Sequence, residues 1–181
     1  MKLFLTSYLA GTKGLAQKFL AQTDMQNILF IPTAANVEEY RGYVDEGIAA
    51  LKEMGCVVAI LDVATTPHNE SVQAIKNSDC LCVSGGNTFF LLQELKRNGL
   101  LDLTKQKVQD GIPYIGESAG AIIACPDIAY NQIMDDKTVA TELTDYSGMD
   151  LVDYYVLPHN GEFPFVETTA QTIKVYGEKI N

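Results

Sequence analysis

The sequence predicts an α/β fold, a three-layer α/β/α sandwich with a mostly parallel central sheet. Three observations predict it. Short apolar runs alternate with amphipathic segments along the 181 residues. The segments between the runs are long enough to be helices, the crossovers that parallel strands need. Each polar motif of interest follows an apolar run, which puts it at the C-terminal strand ends where such sheets form their sites.

The elements follow in order. Leu3–Ser7 is a strand, Gly14–Ala21 a helix and Asn27–Thr33 a second strand. Glu38–Met54 carries Tyr40, Tyr43, Val44, Ile48, Leu51 and Met54 at three-to-four spacing, so it reads as a helix, with Gly55 as its C-cap. Val57–Leu61 is a strand, Asn69–Asn77 a short helix and Cys80–Ser84 a strand. Thr88–Asn98 is a helix ended by Gly99, and Leu101–Asp110 is another. Pro113–Gly116 is a strand, Ala119–Cys125 the helix after it, Tyr154–Leu157 a later strand, and Phe165–Ile180 contains the last helix. No repeat, low-complexity tract or linker interrupts the pattern, so residues 1–181 read as one domain.

Composition narrows the function classes. The formal net charge is −10, with the acids scattered, which argues against nucleic acid and anionic membrane surfaces as partners. No apolar run approaches a membrane span. Met1–Thr6 is too short an apolar run for a secretory signal, and a cytoplasmic location is expected. Cys56, Cys80, Cys82 and Cys125 read as free thiols in a reducing compartment, and no metal site is expected from them.

The chemistry concentrates in Tyr114-Ile115-Gly116-Glu117-Ser118-Ala119-Gly120-Ala121. A buried strand that stops at Gly-x-Ser-x-Gly and restarts as a helix has the form of a nucleophile elbow, which presents Ser118 over the sheet edge. Plain helix–sheet packing produces similar small-residue turns, so the motif needs partners. A nucleophilic serine needs a base. The chain has two histidines. His68 lies in a polar loop, whereas His159 directly follows the Tyr154–Leu157 run and is the candidate base. An oxyanion needs two donors. The Ala119 N–H is one, and Val83-Ser84-Gly85-Gly86-Asn87-Thr88, a strand running through a Gly-Gly turn into a helix, is the source of the other. Phosphate binding at that turn is the rival reading, but the chain lacks both Gly-x-Gly-x-x-Gly and the Walker lysine.

Ser84-Gly85-Gly86-Asn87-Thr88-Phe89 with Leu91-Leu92, then Gly116-Glu117-Ser118-Ala119-Gly120-Ala121, then Pro158-His159, resembles the peptidase E (aspartyl dipeptidase) family, which also includes cyanophycinase-like serine hydrolases. The resemblance runs from the first strand through His159. It implies a class I glutamine-amidotransferase-like, flavodoxin-like fold and a serine peptidase that hydrolyses small peptides, including Asp-X dipeptides, without a cofactor. Carried over by position, Ser118 matches the nucleophile, His159 the base, and Gly86 and Ala119 the oxyanion donors. Gly85, Asn87 and Glu117 are the candidate substrate-binding residues. A monomer or homodimer is expected. The family continues with further strands where this chain stops at Asn181.

The departures leave alternatives open. Best-known members carry a Trp where this chain has Glu117, whose carboxylate either faces substrate or bonds a neighbouring loop. The residue that orients the imidazole is Asp135 or Asp136, if any, or Glu162 just past His159. No Arg or Lys lies in Glu162–Thr169, where the family holds the substrate's acid, and Arg41 and Arg97 are the only arginines. A non-catalytic binding or sensor module, and an amidase or esterase with a non-peptide substrate, fit the same residues.

Overall fold

Strand alternation sorts the apolar side chains onto two faces of one sheet. The computed structural model describes residues 1–23 and 25–180; Asn181, the last residue of the expected domain, lies outside them. The strands are β1 Leu3–Thr6, β2 Asn27–Ile31, β3 Val57–Ile60, β4 Cys80–Val83 and β5 Tyr114–Glu117. Their order is β1-β5-β4-β2-β3, and every pairing is parallel. The helices are α1 Lys13–Leu20, α2 Gly42–Glu53, α3 His68–Lys76, α4 Thr88–Arg97, α5 Leu101–Gln109, α6 Ala119–Ile122 and α7 Val166–Ile180.

Two clusters show the layers. Ile28, Phe30, Cys80, Cys82 and Ile115 pack with Ala16 and Leu20 of α1 and Leu51 of α2. Leu29, Ile31, Leu81, Val83 and Tyr114 face the other way, onto Ile75 of α3, Leu91 and Leu95 of α4, Val108 of α5 and Ile122 of α6. Cys80 and Cys82, two apart on β4, therefore share a face, and both are free thiols. Each fully buried Leu, Ile or Phe contributes about 1.5–3 kcal/mol relative to leaving it exposed, so the middle strands anchor the fold. Among the described residues, no helix is long and apolar enough to cross a membrane.

Three predicted elements change. The expected helix from Glu38 begins only at Gly42. Thr33–Val37 winds instead into a 3-10 turn, because Asp62 accepts from Thr33 Oγ1 at 2.8 Å and Asn36 Nδ2 at 3.0 Å and ties the segment to the strand ends. Tyr154–Leu157 is not a strand. Its backbone bonds go to side chains: the Val156 N–H donates to Cys125 Sγ at 3.2 Å, and its carbonyl accepts from the Tyr130 hydroxyl. The helix after Ser118 stops at Ile122, and the chain closes toward Cys125 with tighter bonds, Ala124 N to Ala121 O and Cys125 N to Ile122 O.

Candidate active site

β5 lies between β4 and β1, so its C-terminal end is flanked by strand ends on both sides. The strand stops at Ser118, whose N–H still donates to Thr6 O at 2.8 Å while its carbonyl already accepts from Ala121 and Ile122. The change of direction falls on Ser118, at φ 47° and ψ −105°. A non-glycine residue held there stores roughly 1–3 kcal/mol of strain, and the surroundings enforce it. Tyr114 Oη donates to Gly120 O at 2.6 Å, and a Cβ on Gly120 would overlap the Val83 carbonyl. The glycine lets α6 sit directly on β4, and that contact sets the elbow.

His159 arrives from the far end of the sequence. Its N–H donates to Ser7 Oγ at 3.0 Å, just past β1, and its Nε2 lies 2.9 Å from Ser118 Oγ. The ring stacks on Phe165, centroids 4.4 Å apart and planes 23° apart. The Glu162 N–H closes a turn onto the His159 carbonyl at 2.9 Å. Burial pushes the imidazole pKa below its ordinary value, opposed by the Glu162 charge. The imidazole is therefore neutral near pH 7, as an acceptor for the serine proton must be.

The Gly85-Gly86 turn follows β4. Gly86 adopts φ 128°, and a Cβ there would overlap the Ala34 backbone. Among the described residues, neither the Gly86 N–H nor the Ala119 N–H has a hydrogen-bond acceptor. The two turns meet: a Cβ on Gly85 would lie 3.3 Å from Ser118 Cβ and 3.6 Å from Tyr43 Cε2.

The remaining expected site residues are braces. Glu117 is 1% exposed, and its carboxylate accepts from Leu9 N–H at 2.8 Å and Gly85 N–H at 3.3 Å. It thus bonds the neighbouring loops, the second of its two alternatives, and burial raises its pKa. Asn87, expected on substrate, caps α4 instead, accepting from Phe90 N–H at 3.0 Å and donating to the Asp136 carbonyl at 2.9 Å. Asp135 accepts from Thr88 N–H at 2.7 Å and from Asn131 Nδ2 at 2.8 Å, and burial pushes its pKa up to about 6. Asp136 is exposed and caps a short 3-10 turn through Thr138 N–H at 2.8 Å. The expectation that Asp135 or Asp136 orients the imidazole is therefore corrected. Both carboxylates are occupied elsewhere, and no described carboxylate bonds His159 Nδ1.

Sequence reasoning missed Ser7, which holds the His159 backbone, and Phe165, which holds its ring. A polar residue ending the strand beside β5 was the available signal for Ser7. Phe165 carried none beyond its apolar character.

Comparison with known proteins agrees with this architecture. The model of peptidase family S51 matches residues 3–181. An uncharacterized peptidase of Listeria monocytogenes is 44% identical over 177 residues, covering 98% of this chain and 86% of the relative. A peptidase E of Nostoc is 32% identical over 152 residues, covering 84% of this chain and 59% of the relative. The crystal structure of a peptidase E candidate from Listeria monocytogenes superposes with a TM-score of 0.93 at 44% identity, covering 97% of this chain and 87% of that one. With a fold, an elbow and a family match that coincide over nearly the whole length, the chain belongs to peptidase family S51.

Proposed function

We propose that this family S51 peptidase is of the serine type and hydrolyses small peptides through Ser118 and His159. The observation that carries the reading is the 2.9 Å contact between Ser118 Oγ and His159 Nε2, each residue held at positive φ in its own turn. Ser118 Oγ attacks the scissile carbonyl carbon while its proton passes to His159 Nε2. The carbonyl oxygen becomes an oxyanion held by the Gly86 and Ala119 N–H groups. Collapse breaks the C–N bond, and the imidazolium gives its proton to the departing amine. Water then attacks the acyl-serine, losing a proton to His159, which returns it to Ser118 Oγ as the C–Oγ bond breaks and the acid product leaves.

The free thiols, with Cys80, Cys82 and Cys125 buried, favour a reducing compartment, and the cytoplasm fits. A second reading, a non-catalytic binding module, is favoured by one observation: among the described residues no carboxylate backs the imidazole. The experiment that separates them is turnover of a dipeptide and aminoacyl-amide panel by the purified protein and by Ser118→Ala. Release of product by wild type alone supports the peptidase. Equal, background-level release from both supports the binding module.

A further inference from the structure

The two oxyanion donors are held by different means. The Ala119 N–H begins α6, which Gly120 seats directly on β4. The Gly86 N–H belongs to a loop, so its direction depends on the peptides on either side, and both are pinned. The Gly85 N–H donates to Glu117 Oε2 at 3.3 Å, and the Asn87 N–H donates to the Ala34 carbonyl at 2.8 Å. Gly86 itself is pressed onto the same backbone: a Cβ there would lie 2.3 Å from the carbonyl carbon and oxygen of Ala34 and 2.5 Å from Ala35 N. The placement of Gly86 is thus set by the Thr33–Val37 turn.

Asp62, just past β3, ties that turn to the sheet. Its Oδ1 accepts from Thr33 Oγ1 at 2.8 Å and from Asn36 Nδ2 at 3.0 Å, and its Oδ2 accepts from Asn36 Nδ2 at 3.0 Å. Thr33 and Asn36 bracket Ala34, and Thr33 Oγ1 also accepts the Val63 N–H at 2.9 Å. The local bonds of Asp62, from Ala64 N–H at 3.1 Å and Thr65 Oγ1 at 3.0 Å, already complete an Asx-type turn after β3. The bonds to Thr33 and Asn36 are not needed for it, and they reach the one turn whose carbonyl holds the Gly-Gly loop. Burial opposes the Asp62 charge, yet the donors from Asn36, Thr33, Ala64 and Thr65 hold its carboxyl below the ordinary aspartate value. The acceptor is therefore ionised near neutral pH, which strengthens each bond.

Resting on the serine-peptidase reading, we propose that Asp62 is a positioning residue for the oxyanion site: it fixes the Thr33–Val37 turn and, through the Ala34 backbone, the direction of the Gly86 N–H. It acts only through other residues. Its loss lets the Gly86 donor drift from the oxygen it must meet, which slows attack by Ser118 and leaves ground-state binding unchanged.

The experiment follows fluorophosphonate labelling of Ser118 by mass spectrometry over a range of reagent concentration. It compares wild type, Asp62→Ala, Asp62→Asn and the double variant Asp62→Asn with Asn36→Asp. The phosphonyl oxygen takes the place of the oxyanion, so the maximal labelling rate reports the donors and the half-saturating concentration reports binding. Expected is a labelled wild type and an Asp62→Ala protein whose maximal rate is lower by about ten- to a hundredfold, with the half-saturating concentration unchanged. The double variant reverses the amide–carboxylate bond and recovers part of the rate that Asp62→Asn loses. The pH at which labelling falls on the acid side, set by His159, stays the same in every variant. Thermal melting verifies each fold, and Thr33→Val and Asn36→Ala carry the same test where Asp62→Ala does not fold. Labelling of a folded Asp62→Ala protein at the wild-type rate overturns the inference and keeps the serine-peptidase reading. A loss that appears as weaker binding or as a shifted acid limb also overturns it, since a general loosening of the site produces either. An unlabelled wild type overturns both.

Discussion

Glu117 accepts the Leu9 N–H at 2.8 Å, so the residue before Ser118 is bonded to the loop after β1. Its other oxygen takes the Gly85 N–H at 3.3 Å, which joins the elbow to the Gly-Gly turn as well. One buried carboxylate thus fixes the relative positions of three strand ends. Removing it leaves two buried backbone donors without an acceptor.

Glu117→Ala is expected to destabilise the protein by roughly 1–3 kcal/mol for each buried donor left unsatisfied. Glu117→Gln keeps an acceptor oxygen and loses less. Urea denaturation of the three proteins checks the order. Equal stability of wild type and the alanine variant would contradict the bracing role.

Stability depends on Asp135 through burial. Its folded pKa is pushed up to about 6, while an unfolded Asp titrates near 4. Between those values the folded chain holds the proton more tightly than the unfolded chain does. Stability from this group is therefore greatest below about pH 4 and falls as pH rises toward about 6. Buried Glu117 shifts in the same direction and adds to the slope. Asp135→Asn is expected to flatten, without abolishing, the decline seen in denaturation curves across that window. A variant with the wild-type slope would refute the assignment.

The pH–rate profile reports His159. Burial lowers its pKa and the Glu162 charge opposes the shift. The acid limb of kcat/KM is expected below the ordinary imidazole value of about 6.5, with a plateau through neutrality. Glu162→Gln removes the opposing charge and moves the limb further down. A limb that moves up in this variant would rule out the sign of that interaction.

Much of the site was legible because its logic is local. Gly116-Glu117-Ser118-Ala119-Gly120 needs only its own backbone to make an elbow, and the Gly85-Gly86 turn needs only the strand before it. The layers followed from the alternation of apolar runs with helical segments, and the structure sorts each run by face, Ile28 and Phe30 against Leu29 and Ile31. What escaped depends on distant partners. Ser7 and His159 are 152 positions apart, and nothing in either neighbourhood announces the bond. Tyr154–Leu157 has strand composition, yet its backbone partners are the side chains of Cys125 and Tyr130. Asp135 and Asp136 look equivalent in sequence; one is half-buried and bonded to Thr88, and the other is exposed. Glu117 could be read toward substrate or loop, and only the positions of Leu9 and Gly85 decide it.

The central claim is that Ser118 is activated by His159. Intact-protein mass spectrometry after fluorophosphonate treatment tests it most directly, on wild type, Ser118→Ala and His159→Ala, each with its fold verified by thermal melting. The account predicts one phosphonyl adduct on wild type, none on Ser118→Ala and labelling of His159→Ala slowed by at least about a hundredfold, in line with the usual gain from a positioned base. An unlabelled wild type, or wild-type labelling in the absence of His159, would contradict it.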